Sequence, residues 1–163
     1  MDIQLSAQLK NYLSTGQSDL VSEGFNVLNY IEDHPEKQFN DYSFVVFPFA
    51  KAYEGFLKQA LLDVGFINEH DYFSTHFRLG KVMSPNMIDK LGDRSIYQKI
   101  CDRYNCAIGD RIWQTWKSGR NEIFHYFPHN LRSVTFAEAR EVINQIISTM
   151  ELVCKEFKLK KEK

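Results

Sequence analysis

Two side chains five residues apart, Arg120 and His125, carry the clearest chemistry in this chain of 163 residues. A histidine titrates near neutral pH and can take or give a proton. An arginine presents a planar fork that matches a phosphate. Together they suit phosphodiester cleavage by the 2′-hydroxyl of RNA. That reaction needs a proton acceptor, a proton donor and a group that stabilises phosphoryl charge. One His and one Arg are few groups for the task. If two copies faced each other at these helix ends, one cleft would hold two of each, with one His as base and the other as acid.

Their surroundings are polar. At about 100° per residue, Arg120 and His125 stand about 140° apart on an ideal helix. They frame a cleft whose middle is occupied by Lys117 and Asn121. The core stripe of the same helix is Ile112, Trp116, Gly119 and Ile123, widened on one side by Trp113 and Phe124. His125 points well away from that stripe, so it is a poor core histidine. The plain alternative is a solvated polar face.

A second oddity is Glu54. It sits in the row Phe47, Ala50, Glu54, Leu57, Leu61, whose three- and four-residue steps share one helix face. A carboxylate amid apolar neighbours is costly without a cationic or hydrogen-bonding partner. Two readings stay open: an ion pair that fixes helix register, or a carboxylate that holds a catalytic Arg or His.

The elements that must position these residues are helical. Residues 2–13 are amphipathic, with an interruption at Ser14-Thr15-Gly16. A helix over Asp19 to about Ile31 ends at His34-Pro35. The most apolar helix runs from about Tyr42 to Val64, with Pro48 starting its regular part or kinking it, and Gly65 closing it. Residues 66–92 contain Gly80, Pro85 and Gly92 and read as loops with one short helix. Helices over about 94–104 and 108–126 follow, the second closed by Phe127-Pro128. Thr135-Phe136-Ala137-Glu138 is a capping box that starts a last helix reaching about Phe157. The expectation is one all-α domain over 1–163: an antiparallel up-and-down bundle of four to five main helices with short extra helices.

Composition agrees and excludes other classes. Apolar residues make up 44% and the length suits one packed domain, which argues against disorder. With 8 Gly and 4 Pro, a turn-rich sandwich or barrel is not expected. A net charge of −1 leaves any nucleic-acid surface to a local patch. The Lys-rich stretch 155–163 reads as a solvated helix end. Cys101, Cys106 and Cys154, odd in number and without CxxC spacing, suggest neither a disulfide framework nor a zinc ribbon. The first residues lack a signal peptide's pattern and no apolar run has membrane-spanning length. A reduced, cytoplasmic setting is expected. His125 and His129 are separated by Pro128, and His70, Asp71 and His76 lie in the loop region, so a metal site is not expected. No P-loop, GxGxxG or GxSxG pattern is present.

The run Arg120-Asn121-Glu122-Ile123-Phe124-His125 resembles the Rx4–6H motif of the HEPN superfamily, with a polar residue after the Arg as is usual there. The resemblance covers residues 40–157, with 1–35 as N-terminal helices. It implies an antiparallel helical bundle and a metal-independent endoribonuclease without cofactor, acting as a homodimer with a composite site. The 2′-hydroxyl would attack, leaving a 2′,3′-cyclic phosphate and a 5′-hydroxyl. Such proteins include toxins of toxin–antitoxin and phage-defence systems, so a cognate antitoxin is an implied partner besides RNA. Within the superfamily the chain looks most like the HEPN domain of RNase LS-type toxins, in which a Glu on an earlier helix completes the site; Glu54 matches it. Those toxins carry additional N-terminal domains that have no counterpart in this sequence. Toxins paired with a nucleotidyltransferase carry Rx4HxY; here Phe127 stands at the Tyr position, with Tyr126 adjacent. The implied catalytic residues are Arg120, His125 and Glu54, supported by Asn121, Lys117 and Tyr126. The alternative is a non-catalytic HEPN-like module that binds a protein or nucleotide.

Overall fold

A computed structural model describes residues 4–126, 128–130 and 132–160. The fold is all-α, with no strand among the described residues. Four long helices dominate: α2 (Thr15–Asp33), α3 (Ser43–Asp63), α8 (Cys106–Trp116) and α9 (Phe136–Glu156). The shorter ones are α1 (Ala7–Tyr12), α4 (Glu69–Phe73), α5 (Leu79–Val82), α6 (Ile88–Leu91) and α7 (Ile96–Arg103). The region 66–92 is therefore more helical than its Gly and Pro suggested. Gly80 lies within α5, Pro85 opens a single 3-10 turn where its missing N–H costs nothing, and Gly92 ends α6 at φ 51°.

Capping explains the main boundaries. Ser14 and Gln17 form a capping box that starts α2 four residues earlier than the apolar pattern indicated, placing Gly16 inside the helix. Thr135 and Glu138 form the expected box at α9. The Thr135 hydroxyl and backbone N–H bonds hold the Glu138 carboxyl below its usual range. The helix α3 runs through Pro48, which forgoes one backbone donor, and closes on Gly65 at φ 74°. There Gly65 N–H donates to the Leu62 carbonyl and Phe66 N–H to that of Leu61, the Schellman arrangement.

Specific side chains fix how the helices meet. Gln17 donates to Gln59, and Gly24 faces the Phe49 ring, so α2 and α3 run in opposite directions. The buried Tyr53 hydroxyl donates to the Ile112 carbonyl at 3.1 Å, tying α3 to α8. Burial pushes that phenol well above its ordinary range. Arg111 donates to Thr149 and Ser148, and Thr115 shares a hydrogen bond with Thr149, so α8 lies along α9. The helices α3 and α9 run the same way: Tyr42 N–H meets the Val134 carbonyl at one end, and Phe66 meets Phe157 at the other.

Cys101 and Cys106 form a disulfide between the end of α7 and the start of α8. This corrects the expectation drawn from cysteine count and spacing. The short turn between the helices brings the Cα atoms to 4.2 Å, a closeness that spacing rules do not register. Tyr97, donating to Asp110, adds a second tie between α7 and α8; that bond and burial push its phenol up to about 12. Cys154 is free and buried, and burial with the Glu151 carboxylate pushes its thiol up to about 12.

Two outcomes follow from this packing. A Cβ at Gly24 would sit 2.5 Å from the Phe49 ring, whereas one at Gly16 would meet nothing within 4 Å. In urea denaturation, Gly24→Ala should lose about 1–3 kcal/mol, and Gly16→Ala should gain about 0.4–1 kcal/mol. An aromatic-disulfide thiol reagent at pH 8 should find no reactive thiol in the native protein. After denaturation it should find Cys154 alone in the unreduced protein, and all three cysteines once the protein has been reduced and the reductant removed.

Candidate functional site

The helix expected over 108–126 changes character part-way. After Trp116 the chain forms a π-helical segment, Lys117–Glu122, and helix has ended by Ile123. A π turn closes its hydrogen bond one residue later than an α turn. The segment stops at Glu122, so His125 lies beyond the helix and its angle to Arg120 is no longer that of an ideal α-helix. Two neighbours favour the change. The Ser118 hydroxyl donates back to the Gln114 carbonyl at 2.9 Å, a bond that competes with the helical ladder. Gly119 packs against Ile146 and Val142, where a Cβ would lie 3.1 Å from Ile146.

This changes the layout of the site. Arg120 and His125, placed about 140° apart by an ideal helix, enter the same cleft, of about 380 Å³. Asn121 and Phe124 join them, and α3 supplies Phe47, Lys51 and Glu54 from the facing side. Lys117 does not take the central place expected of it. It lies outside that lining and pairs with Glu122 at 3.4 Å. Tyr126 is 77% exposed and is likewise not part of the cleft wall. Phe127, at the position of the motif's tyrosine, falls outside the described residues.

Glu54 meets Arg120, with Oε2 2.8 Å from Nη2. The row that suggested a stranded carboxylate is graded rather than buried throughout. Leu57, Leu61 and Ala50 lie in the core, but Phe47 is 54% exposed and the Glu54 side chain 29%. Glu54 thus stands at the rim, where its charge stays partly solvated. The Arg120 guanidinium carbon also lies 4.9 Å from the centre of the buried Trp116 ring, a cation–π contact. Carboxylate and indole together restrict Arg120 while its charge faces the cleft. The aromatic pair Phe47 and Phe124, edge to face at 5.7 Å, forms an exposed apolar shelf beside the cations. Lys51 and this shelf were missed in the sequence. Lys51 sits four residues after Phe47 on the helix carrying Glu54, which is the signal that would have found it.

Another face of the π segment bears a depression of about 500 Å³. Glu122, Glu138 and Glu141 line it against Arg132, an unfavourable balance for a polyanion. Among the described residues no three His, Cys, Asp or Glu side chains converge to hold a metal, and no helix is long and apolar enough to cross a membrane. A scan against family models, a search of curated proteins and a search of solved structures each return no match. The chemistry of the cleft therefore carries the functional argument.

An ion pair this exposed contributes about 1 kcal/mol or less. Glu54→Gln and Arg120→Gln should each change unfolding free energy by no more than that, measured by denaturant titration. A larger loss in either would mark the pair as a structural tie.

Proposed function

We infer that the cleft is the active site of a metal-independent endoribonuclease of HEPN type that acts on single-stranded RNA. The observation that carries this reading is the meeting of Glu54, Arg120 and His125 in one cleft, from α3 on one side and from the π segment and the bend after it on the other. Arg120 binds a non-bridging oxygen of the scissile phosphate, held in position by Glu54 and Trp116. His125 takes the proton of the ribose 2′-hydroxyl. The 2′-oxygen attacks phosphorus, the bond to the 5′-oxygen breaks, and that oxygen leaves with a proton. A second histidine must supply this proton, and a homodimer with His125 of a second copy provides it. The products are a 2′,3′-cyclic phosphate and a 5′-hydroxyl. Asn121 donates a supporting hydrogen bond, Lys51 adds phosphate attraction, and Phe47 with Phe124 offers stacking for an unpaired base. Such an activity suits a toxin of a toxin–antitoxin or phage-defence system, restrained in the cytoplasm by an antitoxin.

The test uses purified protein and a fluorescent single-stranded oligoribonucleotide. His125→Ala and Arg120→Ala should each lower the cleavage rate by at least about 100-fold, the lower range for lost acid–base catalysis. EDTA should leave the wild-type rate unchanged. Equal rates for wild type and His125→Ala, or abolition by EDTA, would overturn the reading. Binding without cleavage, undiminished in His125→Ala, would instead make this a non-catalytic module.

A further inference from the structure

The His125 cleft adjoins a second depression, of about 410 Å³. Glu54, Arg120 and Asn121 line both, so the Glu54–Arg120 pair stands between them as a shared wall. The second cleft adds Arg78, Gly80, Lys81 and Trp116. Arg78 and Lys81 are exposed. Because Glu54 offsets Arg120, these two cations set the sign of the cleft. One guanidinium nitrogen of Arg78 donates to the Thr75 carbonyl at 2.8 Å, which braces the side chain. An arginine has further N–H donors beyond such a brace.

The floor holds an independent sign of a ligand. Trp116 is 3% exposed, and its indole Nε1 is buried without a hydrogen-bond partner among the described residues. Buried donors are rarely left so, and the exceptions call for a reason. The N–H faces Gly80, where a Cβ would lie 2.6 Å from Nε1. Any other residue would clash there, so glycine lets the backbone pass close beside the indole on the wall of the cleft that both line. An oxyanion seated there would accept from the indole and lie beside two cations.

We propose that this cleft is a phosphate subsite: Arg78, Lys81 and the Trp116 N–H bind the phosphate of the nucleotide next to the one cleaved. The inference rests on the nuclease reading of the neighbouring cleft and extends it. The RNA strand crosses the Glu54–Arg120 wall, with a base on Phe47 and Phe124 on one side and a phosphate at Arg78 and Lys81 on the other. Trp116 then serves both clefts, through its ring to Arg120 and through its N–H to the second phosphate.

The test measures anisotropy of a labelled single-stranded oligoribonucleotide bound to His125→Ala protein, which prevents turnover, between about 50 and 200 mM salt. Adding Arg78→Ala and Lys81→Ala should weaken binding and reduce the slope of log K against log salt by about 0.7, the value for one phosphate neutralised on a single strand. Lys37→Ala, beside a different depression, should leave the slope unchanged. Trp116→Phe keeps an aromatic face and removes the donor; with folding verified by circular dichroism, it should lower affinity without changing the slope. Unaltered slope and affinity in the Arg78/Lys81 variant would overturn the subsite. Displacement of the oligonucleotide by millimolar adenosine monophosphate would assign the cleft to free nucleotides and overturn it too; no displacement supports a phosphate within a chain. A wild type that never cleaves, yet binds through Arg78 and Lys81, would sink the nuclease reading and leave the subsite standing.

Discussion

Trp116 closes the regular part of α8 with its ring in the core, Arg120 over one face and its N–H against Gly80. Several constraints meet at that ring. It is buried where α8 packs, and the π segment begins at the next residue. The π segment carries Arg120, and the chain leaves the helix after Glu122 so that His125 enters the same cleft. Gly80 lets α5 approach the indole closely enough to add Arg78 and Lys81 nearby. A smaller apolar residue at 116 would keep the helix but remove the platform that orients Arg120.

The opposite wall depends on α3. The Tyr53 hydroxyl bonds the Ile112 carbonyl inside the core, so Glu54, the next residue, is carried to the rim facing Arg120. The ties of Arg111 and Thr115 to Thr149 hold α8 on its other side. The cleft is thus framed by polar contacts within a packed interior, while its own ion pair stays partly solvated. That division lets the site's charges vary with little effect on the fold, because partly solvated pairs contribute little to stability.

Much of the fold was legible because it depends on local rules. The Thr135–Glu138 box, Gly65 at positive φ and the apolar pattern of α3 are each set by neighbouring residues, and each was read. Residues 66–92 were misread because Gly and Pro report where helices break and say less about single turns between breaks. The Cys101–Cys106 disulfide was missed because it depends on how α7 turns into α8. The graded burial of the Glu54 row was also illegible. Periodicity gives a face, but only the neighbours decide how far along that face the core extends.

Of the site, residue types and spacing by themselves singled out Arg120, His125 and Glu54 as the candidate residues. They also placed Glu54 on α3, since side-chain chemistry and helix periodicity are properties of short stretches of chain; Arg120 and His125 fall beyond the end of α8, on the π segment and in the bend after it. Tertiary structure alone decided that the three converge. It excluded Lys117 and Tyr126 from the cleft, brought in Lys51, and set Arg78 and Lys81 beside an unpaired indole N–H. The reason is that helical phase after Trp116 is governed by packing of Gly119 on Ile146 and by the Ser118 back-bond, and a change of one residue per turn redirects every side chain beyond it.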